Sequence, residues 1–156
     1  MAGPFQSVFV GNSQNYHQTK VALIVADWNE EITGSLYEAA VHTLMKYGFQ
    51  KENLIKKRVP GSFELTYGAL KMAEKENIQG VICLGCVIQG ETPHFDYICQ
   101  AVAHGITELN IQTGKPIIFG VLTTLNKQQA LDRAGGKYGN KGEEAALTLM
   151  QMLSFT

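Results

Sequence analysis

Apolar residues along the chain fall into two arrangements: short unbroken runs, and longer stretches in which they recur every three or four positions. Residues 20–26, 80–88 and 116–122 are nearly free of charge and rich in β-branched side chains. Each therefore predicts a strand buried on both faces of a parallel sheet. A fourth run, 54–59, carries Lys56, Lys57 and Arg58 and ends before Pro60, which favours an extended backbone at Val59; its polarity predicts a sheet edge. Helices are expected between the strands. Ile32, Leu36, Ala40, Leu44 and Tyr47 keep helical spacing up to Gly48, with Asn29 placed to cap and Glu30 and Glu31 near the positive end of the dipole. Leu65, Ala69, Met72 and Ala73 predict a second helix, and Ile98, Val102, Gly105 and Leu109 a third that stops at Gly114. Asn126 with Gln129 resembles a capping box for a short helix to Arg133, and Ala146, Leu149, Met150 and Leu153 mark a last helix over 143–153.

This β-α-β-α-β-α-β-α-α order predicts a three-layer, flavodoxin-like α/β sandwich: a mainly parallel four-stranded sheet in the order 2-1-3-4, flanked by helices. A chain of 156 residues suffices for one such domain, expected over 20–156. Residues 1–19 carry little charge and one β-like piece, Phe5-Gln6-Ser7-Val8-Phe9-Val10. They read as an N-terminal arm able to add a strand to a sheet edge, including that of a neighbouring subunit.

Charge narrows the partners. Thirteen basic and fourteen acidic residues give a net charge of -1, and no basic tract occurs, so neither nucleic acid nor an anionic membrane is favoured. Recognition of an anion must be local. Without a signal-like segment or an apolar run of membrane-spanning length, the expected location is the cytoplasm, where three cysteines stay reduced. Cys83 and Cys86 form a C-x-x-C, but inside a strand that spacing points them to opposite faces, away from any helix start that would activate a thiol.

Candidate chemistry gathers just after the strands. In open parallel sheets, ligands bind beyond the carboxyl ends, where helix starts offer free N–H groups and partial positive charge. Gly90-Glu91-Thr92-Pro93-His94 follows the most apolar strand; Thr92 suits an N-cap, Pro93 the first helical position, and His94 then falls in the first turn. One loop thus offers an anion seat and an imidazole, unless Thr92-Pro93 merely caps and His94 is a solvated surface residue. Trp28 sits at the tip of the first strand, either as a ligand platform or packed under a loop. Ser62 and Glu64 open the second helix as site residues or as caps. Residues 134–142 are glycine-rich, bracketed by Arg133 and Lys141, but lack the spacing and context of a P-loop.

Taken together, Trp28-Asn29, Pro60-Gly61-Ser62-Phe63-Glu64-Leu65, the segment from Gly85 to Phe95, Phe119-Gly120-Val121-Leu122-Thr123, and Arg133 to Gly142 resemble the lumazine synthase family, over roughly 20–153. The resemblance implies condensation of 5-amino-6-(D-ribitylamino)uracil with 3,4-dihydroxy-2-butanone 4-phosphate to 6,7-dimethyl-8-ribityllumazine, phosphate and water, with no metal and no organic cofactor. It further implies that Trp28 stacks on the pyrimidine, that Ser62, Phe63 and Glu64 line the pyrimidine and ribityl site, and that Cys86, Val87 and Ile88 add backbone contacts. Phe119 would come from an adjacent subunit. Glu91, Thr92 and Arg133 would hold the phosphate, His94 would transfer protons, and Lys141 would lie near the site. Pentamers are the implied minimum, and the compact stretch from Arg133 to Lys141 resembles members that build shells of sixty subunits, with riboflavin synthase a candidate partner. Many relatives have Phe in place of Trp28, often after a basic residue rather than Asp27; the larger indole is expected to bind product or riboflavin more tightly. The alternatives are a flavin or lumazine storage protein on the same scaffold, a flavodoxin-like electron carrier, and a purely structural shell protein. Storage needs neither His94 nor Arg133, and the acidic loop 27–31 lacks the character of an FMN phosphate seat.

Overall fold

A computed structural model describes residues 15–155. Four strands, β1 (Val21–Ala26), β2 (Leu54–Val59), β3 (Gly80–Ile88) and β4 (Ile117–Thr124), form one sheet in the order β2-β1-β3-β4, with every pairing parallel. The expected fold class and strand order are therefore observed. Side chains alternate strictly between the two faces, as a period of two requires. Val21, Leu23 and Val25 of β1 join Ile82, Leu84 and Cys86 of β3 on one face, while Ala22, Ile24 and Ala26 join Val81 and Cys83 on the other.

Helices α1 (Glu30–Lys46) and α5 (Lys141–Leu153) cover the first face. Helices α2 (Leu65–Ala73) and α3 (His94–Thr113) cover the second. The short α4 (Lys127–Leu131) follows β4; the Asn126 side chain accepts from the Gln129 N–H at 2.9 Å, and the side-chain oxygen of Gln129 accepts from the Leu125 N–H. The anticipated cap is thus present, its return bond shifted by one residue. β2 carries the exposed Lys56, Lys57 and Arg58 and occupies one edge, as its polarity requires.

Three features depart from the sequence pattern. The glycine-rich stretch contains a small antiparallel hairpin, β5 (Ala134–Gly136) with β6 (Gly139–Asn140), in which Gly135 and Gly139 take φ of 104° and 83°. Asn140 rather than a later residue starts the last helix, its side chain accepting from the Gly142 N–H at 2.8 Å, so Lys141 becomes the first helical residue. Tyr16, in the expected arm, is 5% exposed: it stacks on Phe49 with centroids 4.5 Å apart and donates to the Met150 carbonyl at 3.4 Å. The β-like piece at 5–10 lies outside the described residues.

The contact between α1 and α5 depends on Gly142. A Cβ there would collide with the Leu36 carbonyl of α1, so the two helices approach closely only because the side chain is absent. Gly142→Ala is expected to lower stability by about 3 kcal/mol, measured as a shift of the urea midpoint; an unchanged midpoint would show that the helices separate without cost.

The sheet also disposes of the C-x-x-C. Cys83 and Cys86 lie on opposite faces, and burial pushes their thiols up to about 12 and about 11. Both should resist alkylation near pH 8 in the native protein and react fully in denaturant, as read by mass spectrometry; rapid native labelling of either would contradict their placement.

Candidate active site

The parallel ladder continues past the strands themselves. Beyond β1, the N–H groups of Asp27 and Trp28 donate to the carbonyls of Val59 and Pro60 at 2.8 and 3.1 Å, and beyond β3 the Gln89 N–H donates to the Thr124 carbonyl at 2.9 Å. The tips of β1 and β2 are thereby held level with each other, as are those of β3 and β4, which reach further. Trp28 stands at this rim, 74% exposed, rather than packed beneath a loop. Its Cδ1 lies 3.5 Å from where a Gly61 Cβ would be, and the Glu64 carboxylate lies 3.2 Å from the same point. The indole edge, Gly61 and Glu64 therefore meet.

Residues 62–64 form a single 3-10 turn ahead of α2. Of the two candidate caps, Glu64 is the one that caps, its Oε2 accepting from the Gly61 N–H at 3.0 Å. Ser62 does not. It is buried against Gly85 of β3, where a Cβ would sit 2.6 Å from its Oγ, and that hydroxyl has no hydrogen-bond partner among the described residues. Gly85 thus makes room for the turn, which leaves Phe63 54% exposed at the rim beside Trp28's loop.

Asn29 corrects an expectation. It occupies the N-cap position of α1 but with a left-handed backbone, φ 61° and ψ 47°, which turns its side chain away from the first-turn N–H groups. Its Nδ2 instead donates to the Cys86 carbonyl at 2.9 Å, tying the loop after β1 to the end of β3. Arg58 ties the same loop to β2, donating from Nε to Asp27 at 2.5 Å and from Nη2 to Glu30 at 2.9 Å. These hydrogen bonds, that to Asp27 first, hold the guanidinium above its ordinary pKa range. Neither tether is visible in the sequence pattern, because Arg58 looks like any cation on an edge strand and Asn29 like an ordinary cap.

Val87 and Ile88 close β3, and the loop to α3 follows directly. Glu91, Thr92 and His94 are all exposed. The hydrogen-bonded helix starts at His94, one residue later than expected, with Pro93 in the cap position; Thr92 Oγ1 still accepts from the His94 N–H at 3.4 Å. Among the described residues, no side chain hydrogen-bonds or pairs with the His94 imidazole. It stands free at the positive end of a twenty-residue helix.

Three candidates are not brought to this group. Phe119 lies in the body of β4, level with Cys83 and five residues, or about 16 Å, before that strand's end. Its side chain packs on the α2 and α3 face. Arg133, after α4, donates from Nη1 to the Gln129 carbonyl at 3.0 Å and lies over the Tyr138 ring, 4.8 Å from its centroid. Lys141 pairs with Glu144 at 3.0 Å. Among the described residues, no hydrogen bond or ion pair links Arg133 or Lys141 to the 90–94 loop. A shallow open depression bounded by His17, Lys20, Asn53 and Asn77 lies at the opposite end of the sheet. Among the described residues no cluster of metal-binding side chains occurs, and no helix is long and apolar enough to cross a membrane.

Comparison with known proteins places the chain in a family. The profile of the 6,7-dimethyl-8-ribityllumazine synthase family matches residues 18–156. A relative from Cytophaga hutchinsonii bearing that name is 57% identical over 150 residues, covering 96% of this chain and 94% of its own. Namesakes from Parabacteroides distasonis and Bacteroides fragilis are 54% and 51% identical, covering 89% and 87% of this chain and 87% and 95% of theirs. With a family match across nearly the whole sequence and the strand tips arranged as described, the chain belongs to the 6,7-dimethyl-8-ribityllumazine synthase family, transferases of riboflavin biosynthesis.

Proposed function

We propose that this enzyme joins 5-amino-6-(D-ribitylamino)uracil to 3,4-dihydroxy-2-butanone 4-phosphate, releasing 6,7-dimethyl-8-ribityllumazine, phosphate and water. The observation that carries this reading is the meeting of an exposed indole and a carboxylate at the carboxyl end of the sheet, where α3 and its exposed His94 also begin. A flat ring fits against the Trp28 face, a contact worth about 0.5–1.5 kcal/mol beyond area burial. Phe63 and Ser62 border it, Glu64 accepts ribityl hydroxyls through the carboxylate oxygen not given to Gly61, and the 86–88 backbone borders the ring's polar edge.

Phosphate is the leaving group, so donors aimed at it stabilise charge as the C–O bond breaks, as well as holding the ground state. Glu91 and Thr92 shape that seat with the N–H groups that start α3, and Arg133 supplies the cation. Amine attack on the ketone, dehydration to an imine, elimination and ring closure each move protons. His94, exposed and without a side-chain partner among the described residues at the start of α3, takes and returns them.

Phe119 and Arg133 complete the pocket from a neighbouring chain. The depth of Phe119 in β4 supports this, since its own rim is out of reach. Pentamers are then the working unit, and the two-residue turn between β5 and β6 suits a shell of sixty, with residues 1–19 as the arm that pairs subunits and riboflavin synthase as a candidate partner. The enzyme acts in the cytoplasm, on two small molecules, without metal or cofactor and without nucleic acid or membrane.

Purified protein mixed with both substrates should form the lumazine, followed by absorbance, faster than the uncatalysed reaction; no acceleration refutes the assignment. His94→Ala should slow turnover by about 10² or more, and Arg133→Ala should raise KM for the butanone phosphate about tenfold while slowing elimination. Nearly full kcat in His94→Ala would remove its proton role. Light scattering should find a particle about twelve times the mass of a pentamer; pentamers alone would rule out the shell.

A further inference from the structure

An indole that is 74% exposed ordinarily samples several rotamers, and freezing them on binding costs affinity. The backbone around Trp28 is the opposite, held on every side. Asp27 and Trp28 hydrogen-bond to the end of β2, and Asn29 to the end of β3. Glu31 pairs with Lys127 at the start of α4 at 2.6 Å. One planar guanidinium, that of Arg58, spans Asp27 and Glu30, the residues flanking Trp28-Asn29.

We propose that Arg58, through Asp27 and Glu30 together, is a positioning residue that presets the Trp28 indole for its flat-ring ligand. The inference rests on Trp28 being the ring platform. A single exposed ion pair fixes little, because side-chain entropy offsets its Coulomb gain. Here one rigid fork closes a short loop at both ends, so its loss frees both ends at once. Lysine substitutes only in part, since an ammonium is a point charge without the planar reach to bridge two carboxylates in fixed directions. Positioning acts on ring binding and leaves the chemistry at His94 untouched.

The chain has one tryptophan, so its fluorescence reports this residue alone. Arg58→Met, Asp27→Asn and Arg58→Lys, each confirmed by light scattering to assemble like the parent, are compared in acrylamide quenching, fluorescence anisotropy, lumazine affinity and steady-state kinetics. Arg58→Met and Asp27→Asn should lower the anisotropy and raise both the lumazine Kd and KM for the ribitylaminouracil by about three- to tenfold. KM for the butanone phosphate and kcat should stay within about twofold of the parent, and Arg58→Lys should recover only part of the loss. Asp27→Asn preserves shape and carries the test if Arg58→Met does not assemble. Parental anisotropy and lumazine affinity in the assembled variants would overturn the inference. Trp28→Ala separates it from the reading beneath it: if Trp28→Ala weakens lumazine while the Arg58 and Asp27 variants do not, only the positioning role fails. If Trp28→Ala binds as the parent does, the platform fails and the positioning role with it.

Discussion

Parallel strand alignment is the constraint on which the rest of the molecule depends. Because β1 to β4 all run the same way, every strand delivers its following loop to one end of the sheet, and the ladder bonds beyond the strands tie those loops in pairs. Residues far apart in sequence, such as Trp28, Glu64 and His94, thereby share one edge of the fold without any direct bond among them. A mixed sheet of the same composition would scatter them between two ends. The crossover helices that parallel pairing demands also begin at that end, α3 with its first-turn N–H groups closed locally on Thr92 and Pro93.

Much of this was legible before any coordinates. Unbroken apolar runs named the buried strands, and three charges in β2 named the edge, because an edge strand is the one place a parallel sheet tolerates them. Helical spacing named the covering layers. What could not be read depends on contacts between elements. The left-handed Asn29 violates the usual N-cap geometry in favour of the Cys86 carbonyl, a partner 57 residues away. Glycines at 135, 136 and 139 looked like a loop, yet two of them supply the positive φ that a tight hairpin needs. Phe119 looked like part of a strand tip because its motif ends there; register alone shows how deep it lies.

The candidate site is therefore half resolved within one chain. The ring-facing elements come together through β1, β2 and β3, whereas Phe119 and the cations at 133 and 141 are committed to local partners or to the body of the sheet. Under the proposed function, that division would make catalysis a property of the contact between copies. Membership of the family accounts for the pattern of residues, and in this chain an acidic residue before the indole is met by an arginine on the adjacent strand.

Tyr16 has a further consequence. Its ring lies on Phe49 and its hydroxyl reaches Met150, a separation of 134 residues, and the layer it belongs to also needs α5. The opposite layer is built from β1, β3, β4, α2 and α3 and is complete once β4 has formed. A nascent chain leaving the ribosome can thus close one side of its sheet while the other stays greasy and open until the final helix emerges. The interval between those two events is when the polypeptide is most exposed to sticking to its siblings, and it ends only with the last dozen residues.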